Sequence, residues 1–219
     1  FLYSKDREFK IFETCHNSTF DFKNKVLIPD EFHFCSKFHL EASKNLDVPK
    51  KIIEMEIRNK KRPDRLDALK KVNLSPDYFH VLNVGLFMKN KNQKYLFDLA
   101  EKLQHKKIMF HFIGNTCFIN DCGITEYQKK LPNCIVHGEK NNVDDYMAAK
   151  DLFAFPSLLE LNPICLKEAL SWGMKIFMNK LDVYYDYFDN NDLVTYLKDE
   201  NLFNLLNSIE DFNFKQHIV

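Results

Sequence analysis

Residues 79–115 read FHVLNVGLFMKNKNQKYLFDLAEKLQHKKIMFHFIGN. The opening FHVLNVGLF is a short β-rich run that ends near Gly85. Beyond it, Tyr95, Leu96, Leu99, Ala100 and Leu103 recur at the period of an amphipathic helix. KIMFHFIGN is a second strand, closed by Gly114. Strand, helix and strand in one stretch predict parallel pairing with a helical crossover.

The alternation continues downstream. GITEYQKKL is a helix opened by a Thr-x-x-Gln capping pattern, Thr125 to Gln128. NCIVHG is a strand ending at Gly138, and NNVDDYMAAK is a short helix with Asn142 as its cap. DLFAFPS is a strand stopped by Pro156. NPICLKEALSWG is a helix with Asn162 as N-cap, Pro163 at the first helical position and Gly173 at its far end. MKIFMN and DLVTYL are further strands, and DENLFNLLNSI is a last helix. The fold class is therefore α/β, a doubly wound parallel sheet over residues 79–219. Sheets of this kind bind ligands at the carboxyl ends of their strands, beside helix N-termini.

Upstream, EFKIFET, EFHFCS and KKIIEMEI read as strands and KFHLEASKNL as a helix. Three strands are too few for a stable domain of their own. Residues 1–60 are thus expected to be part of an incomplete first α/β lobe. Residues 61–78, charged and carrying Pro63 and Pro76, read as a linker with one short helix. Residues of the first lobe are expected to be missing from this chain.

Bulk composition narrows the classes. Hydrophobic residues make up 45% of the 219, enough for a packed core. Lys plus Arg equals Asp plus Glu at 31 each, which argues against a nucleic-acid or membrane-surface binder. No run approaches the roughly 20 apolar residues of a spanning helix. The start, FLYSKDREFK, lacks the apolar core of an export signal. A cytoplasmic location is expected, and Cys15, Cys35, Cys117, Cys122, Cys134 and Cys165 are read as reduced thiols. Cys117 and Cys122 would need a second ligand pair to hold zinc, and none has suitable spacing.

The loop before the NPICLKEALSWG helix carries the chemistry. In FPSLLELNPICLKEAL, residues 155–170, Glu160 follows a buried strand and Glu168 lies inside the next helix. A helix N-terminus offers unpaired N–H groups and partial positive charge to an anion. Glu168, about one and a half turns in, lies several ångströms behind such a site. A carboxylate only accepts hydrogen bonds, which suits a ribose diol. The other carboxylate can face a sugar beyond the phosphates.

FPSLLELNPICLKEALSWGMKI resembles the Glu-x7-Glu region of retaining glycosyltransferases with two Rossmann-type lobes (GT-B), close to glycosyltransferase family 4. VLNVGLFMKNKNQKYLFDLAEKL is similar to that family's first strand of the second lobe, Gly85 followed by a loop and a lysine. FHFIGN and IVHGEKNNVDDYMAAKDLFAFPS fall in family order, so the likeness covers about residues 79–197, and 10–57 weakly.

By matching position, the resemblance implies that Glu160 faces the donor sugar and Glu168 binds the donor ribose. Lys91 matches the phosphate-binding lysine. Asn162, Ile164 and Cys165 would contact sugar and phosphates, beside Pro163, which has no N–H to give. His16, just after a strand, matches a first-lobe histidine at the cleft. Two departures stand out. Leu86 occupies the place of the usual arginine, and Leu161-Asn162 that of the commoner Gly-Phe.

The expected activity is transfer of a hexose from a UDP- or GDP-linked sugar to a hydroxyl on a glycan, lipid or protein, with retention of configuration. No cofactor or metal is expected, because no Asp-x-Asp ends a strand and fixed dipoles can replace a cation. The alternatives are a nucleotide-sugar-binding lobe without turnover and an unrelated Rossmann-like binding or regulatory domain. The single glycine of NVGLFMKN cannot supply the NAD fingerprint.

Overall fold

The computed structural model describes residues 6–17, 19–53, 57–184 and 187–209. The chain divides into two compact units. The first comprises residues 1–56, 159–163 and 181–189; the second comprises 57–158, 164–180 and 190–219.

The first unit holds a three-stranded parallel sheet: β1 (Phe12–Cys15), β2 (Glu31–Phe34) and β3 (Lys50–Ile52), in that order. Phe32 and Phe34, two apart on β2, point to one face as strand alternation requires. They meet Phe22, from a 3-10 turn at Phe22–Asn24, edge-on. Cys15 completes this small core, with Leu40, Leu46 and Val48 at its margin. Helix α1 (Lys37–Ala42) buries His39, whose Nε2–H donates to the Asn17 carbonyl at 2.8 Å. All six cysteines are free thiols.

The second unit is built on six parallel strands. In chain order they are β4 (Phe79–Val84), β5 (Ile108–Ile113), β6 (Cys134–Gly138), β7 (Leu152–Phe155), β8 (Lys175–Met178) and β9 (Val194–Tyr196). In space they run β6-β5-β4-β7-β8-β9. This is the 3-2-1-4-5-6 order of a doubly wound sheet, with the reversal between β4 and β7. Both units are α/β with parallel strands, as the sequence predicts.

One face of the large sheet offers Val81, Phe110, Phe112, Leu152, Ala154 and Phe177. Helix α3 (Gln93–Lys102) covers it with Leu96, Phe97, Leu99 and Ala100, and α7 (Asn201–Asn207) with Leu202 and Leu206. Phe97 stacks on Phe112 with ring centroids 4.4 Å apart. Helix α4 (Glu126–Lys129) is only 4 residues long. It is held by the reciprocal Thr125–Gln128 capping box that the sequence predicts.

Helix α2 (Arg65–Lys71) lies within the expected linker. Asp64 caps it by accepting from the Leu66 and Asp67 N–H groups. Its Ala68 and Leu69 pack with Ala148 and Ala149 of α5 (Val143–Ala149). Helix α6 (Ile164–Ser171) ends in a Schellman turn: Met174 N–H donates to the Ala169 carbonyl and Gly173 N–H to that of Leu170, with Gly173 at φ +65°.

The sheet face opposite Phe110 and Phe112 carries a buried polar row. His80 Nδ1 lies 2.9 Å from His111 Nε2, and His111 Nδ1 lies 3.0 Å from His137 Nε2. His80 Nε2 faces the Ser75 carbonyl at 2.8 Å. A carbonyl only accepts, so His80 Nε2 carries the proton and its Nδ1 must accept. His111 then donates from Nε2, and His137 from Nε2 in turn. One carbonyl thereby fixes three tautomers.

Lys150, fully buried, places its ammonium 5.4 Å from the Tyr146 ring centroid. Its Nζ has no hydrogen-bond partner among the described residues. Burial, opposed by Asp151, pulls its pKa from 10.5 to about 7. Burial and then Lys150 lower His80 and His137 to about 4 and push His111 lower still.

Between pH 7 and 10.5 the unfolded chain therefore holds a proton at Lys150 that the folded chain has released, and stability rises with pH across that window. Lys150→Met removes a penalty that is fully present at and below pH 7. We predict a melting temperature raised by about 5 °C at pH 7, with the gain shrinking toward pH 10. Scanning calorimetry at the two pH values checks this, and a gain independent of pH would refute it.

Candidate active site

In a doubly wound sheet the chains leaving the two central strands turn to opposite faces, and ligands bind at their carboxyl ends; here those strands are β4 and β7. Hydrogen bonds lace the two exits together. The Asn90 carbonyl accepts from the Leu158 N–H at 2.7 Å and from the Ser157 hydroxyl at 3.1 Å. The Pro156 carbonyl accepts from Asn179 Nδ2 at 2.8 Å and from Asn92 Nδ2 at 3.3 Å. One step back, Asn83 Nδ2 donates to the Ala154 carbonyl at 2.8 Å. A proline cannot extend the ladder by an N–H. These asparagines satisfy the carbonyls that β7 leaves behind.

This lacing orients Lys91. A 3-10 turn at Lys89–Lys91 follows β4, and Asn92 then takes the left-handed region at φ +54° to start α3. Asparagine tolerates that region better than most residues. The Lys91 ammonium lies 5.9 Å from the Phe155 ring centroid, over the end of β7.

Two glycines meet here with opposite requirements. A Cβ on Gly114, whose φ is +151°, would sit 2.0 Å from the Gly85 carbonyl oxygen. Gly114 therefore has to be glycine so that the β4 and β5 exits can approach. A Cβ on Gly85 would meet no protein atom within 4 Å. The ground in front of Gly85 is open.

Glu160 is half-buried in the β7–α6 connection, whose residues 159–163 belong to the first unit. Asn162 is half-buried and Pro163 buried. Helix α6 begins at Ile164, one residue later than the sequence predicts, so Pro163 stands at the cap position and Asn162 before it. Ile164 is exposed at the first turn and Cys165 half-buried. Glu168 follows one turn on, half-buried. Its pKa is raised, first by burial and then by Asp144, against an opposing pull from Lys60.

The second unit thus brings Gly85 and Lys91 to the β4 exit, and Ile164, Cys165 and Glu168 to the start of α6. His16 belongs to the first unit, exposed one residue beyond β1, with Nδ1 3.3 Å from Cys35 Sγ. Among the described residues, no three His, Cys, Asp or Glu side chains group to hold a metal ion. Sequence reading missed Asn83, Asn90, Asn92, Ser157 and Asn179, and the Lys60, Asp144 and Trp172 set near Glu168. Asparagine at strand exits is a turn signal, and here it also bonds across loops.

A parallel six-stranded sheet with a laced switch point, preceded by a three-stranded parallel sheet, matches the Rossmann-like lobes of GT-B enzymes. The family described as "Glycosyl transferases group 1" matches residues 64–212. The chain belongs to that family. It is 28% identical over 165 residues to the capsular polysaccharide biosynthesis glycosyltransferase CapH of Staphylococcus aureus, covering 68% of this chain and 43% of CapH. The chain therefore spans less than half the length of that curated relative.

Among solved structures, Anabaena Alr3699/HepE in complex with UDP and glucose superposes with a TM-score of 0.70 at 16% identity, covering 90% of this chain and 60% of HepE. WaaG, a glycosyltransferase involved in lipopolysaccharide biosynthesis, superposes at 0.60 with 18% identity, covering 80% and 52%. Among the described residues, no helix is long and apolar enough to cross a membrane.

The two glycines give a paired prediction. Gly114→Ala must displace backbone and should lower the melting temperature by about 5 °C or more, while Gly85→Ala should leave it within about 2 °C. Thermal unfolding followed by circular dichroism checks both. Equal losses would contradict the spacing described.

Proposed function

We propose that this chain carries the donor-binding lobe of a glycosyltransferase for glycan assembly. The reaction is transfer of a hexose from a nucleotide diphosphate sugar to an acceptor hydroxyl, with retention of configuration. The observation that carries this reading is the laced switch point, where the Lys91 ammonium stands at the end of β7 and α6 starts a few residues beyond.

The diphosphate gains most negative charge as the glycosidic bond breaks. Lys91 and the N–H groups of the first turn of α6 are fixed positive ends suited to that charge. Glu168 accepts from the ribose hydroxyls. Glu160 holds the sugar and favours positive charge at its anomeric carbon. The fixed dipoles take the part that a metal ion plays elsewhere, so the proposed reaction uses neither metal nor cofactor.

UDP-glucose is the first donor to test, because UDP and glucose are the molecules named with HepE. A second reading, donor binding without turnover, is favoured by Leu86 at the family's usual arginine position.

Glu168→Ala is expected to weaken nucleotide-sugar binding at least tenfold with folding intact, about 1.4 kcal/mol or more. Glu160→Ala is expected to keep that affinity and lose transfer. Calorimetry with UDP- and GDP-sugars, then release of the nucleoside diphosphate, measures the two effects. Unchanged affinity in Glu168→Ala removes the ribose assignment. Tight binding with no release in the unaltered chain selects the second reading.

A further inference from the structure

Helix α6 and the residue that follows it set Glu168, Ser171 and Trp172 at i, i+3 and i+4, with the Trp172 N–H still donating to the Glu168 carbonyl at 3.2 Å. The Trp172 indole N–H donates to Asp144 Oδ1 at 3.0 Å. Lys60 Nζ donates to the same oxygen at 2.5 Å, and lies 5.1 Å from the Trp172 ring centroid. The Lys60 backbone N–H donates to the Ser171 carbonyl at 2.7 Å, and the Ser171 hydroxyl to the Glu168 carbonyl at 2.6 Å. Asp144, in the first turn of α5, is thereby brought to the face of α6 that carries Glu168.

A carboxylate beside a carboxylate is unfavourable, and Asp144 does raise the pKa of Glu168, after burial. Lys60 opposes it. The neighbouring Asp145 is engaged by Lys71 of α2 at 2.8 Å. The Asp144 side chain is 56% exposed, and so open an ion pair adds little to stability. Its value lies in the local field. Lys60 is held three ways: through its backbone, its ion pair and the indole face.

We propose that Lys60, Asp144 and Trp172 are a positioning clamp for Glu168, Lys60 cancelling the Asp144 charge so that Glu168 remains an acceptor-only carboxylate for a ribose diol. The inference rests on the donor-site reading above. It assigns Lys60, which precedes α2 in the chain, a part in donor affinity without contact to the donor.

The test is a carbon-13 titration of the Glu168 carboxyl in the ligand-free chain, assigned by difference with Glu168→Gln. UDP-glucose affinity is measured alongside from pH 5.5 to 8. In Lys60→Met the Glu168 midpoint should move to higher pH. In Lys60→Met/Asp144→Asn it should return to or below the starting value, and in Lys60→Arg it should stay. Affinity for UDP-glucose should fall below that of the unaltered chain at pH 5.5 in Lys60→Met, and the two should converge toward pH 8.

A midpoint unmoved by Lys60→Met, or still raised in the double variant, overturns the clamp. If the midpoints move as stated while even Glu168→Gln keeps full affinity for UDP-glucose, the donor-site reading is overturned instead, and the clamp loses its purpose.

Discussion

The Asn90 carbonyl is where the architecture turns into a site. It accepts from the Leu158 N–H and the Ser157 hydroxyl, and so ties the exit of β7 to the exit of β4. Together with the Asn92 side chain on the Pro156 carbonyl, that tie holds the two loops at the switch point to each other, with the Lys91 ammonium near the Phe155 ring. Pro156 adds a further demand. It ends the β7 run, and its carbonyl needs a donor from elsewhere. Asn179 and Asn92 supply one each. Side-chain amides serve well, because each carries two donors on a short stem.

The same economy of donors governs the far face of the sheet, with a different outcome. His80, His111 and His137 satisfy one another in a single direction set by the Ser75 carbonyl. One added proton can sit anywhere along that row, because every internal contact still has one donor and one acceptor. A second would set two N–H groups against each other. Lys150, buried nearby, takes a proton at higher pH than the row does and opposes its charging. Neighbouring charges are anchored outward. Asp151 accepts twice from Arg65 and once from the His80 N–H, and Arg62 donates to the Lys150 carbonyl. The result is a neutral polar layer inside an apolar sheet.

Much of the fold was legible because the signals were local. β4, β5 and β7 are short apolar runs punctuated by glycine or proline, and α3 has a clear helical period. Even the four-residue α4 could be read, since Thr125 and Gln128 announce a capping box. The 3-10 turns at Phe22–Asn24, Lys89–Lys91, Ile119–Cys122 and Asp182–Tyr184 were not legible, being too short for any period to show. The charged stretch 61–78 reads as linker because its polar residues outnumber its apolar ones. Yet two buried apolar residues lie there, Ala68 and Leu69 meeting Ala148 and Ala149. In the candidate site, the places of Gly85 and Lys91 after β4 and of Glu168 on α6 could be read from order along the chain. The asparagines that lace the ends of β4 and β7 could not, because a hydrogen bond between residues 64 or 71 positions apart leaves no periodic trace.

In the proposed function, Leu86 raises the question of how a diphosphate would be held where the family usually carries an arginine. A guanidinium offers a fork to two oxygens, whereas an ammonium is a point charge. What remains at the β4 exit is Lys89 and Lys91 on one 3-10 turn, both fixed relative to β7 by the Asn90 carbonyl between them. Leu86 itself is pinned through its backbone, its carbonyl accepting from Gln93 Nε2 at 2.9 Å. Loss of the fork therefore does not loosen the loop. It removes directional bonds but keeps a positive, preorganised rim, and preorganisation is what makes fixed charges effective against charge that develops during a reaction. A site of this kind relies on the helix end and the rigidity of its lacing for orientation that an arginine would otherwise supply. For that reason the electrostatics around Glu168, which fixes the other end of the donor in the proposed function, matter more to holding the donor in that reading than they would beside a full set of cations.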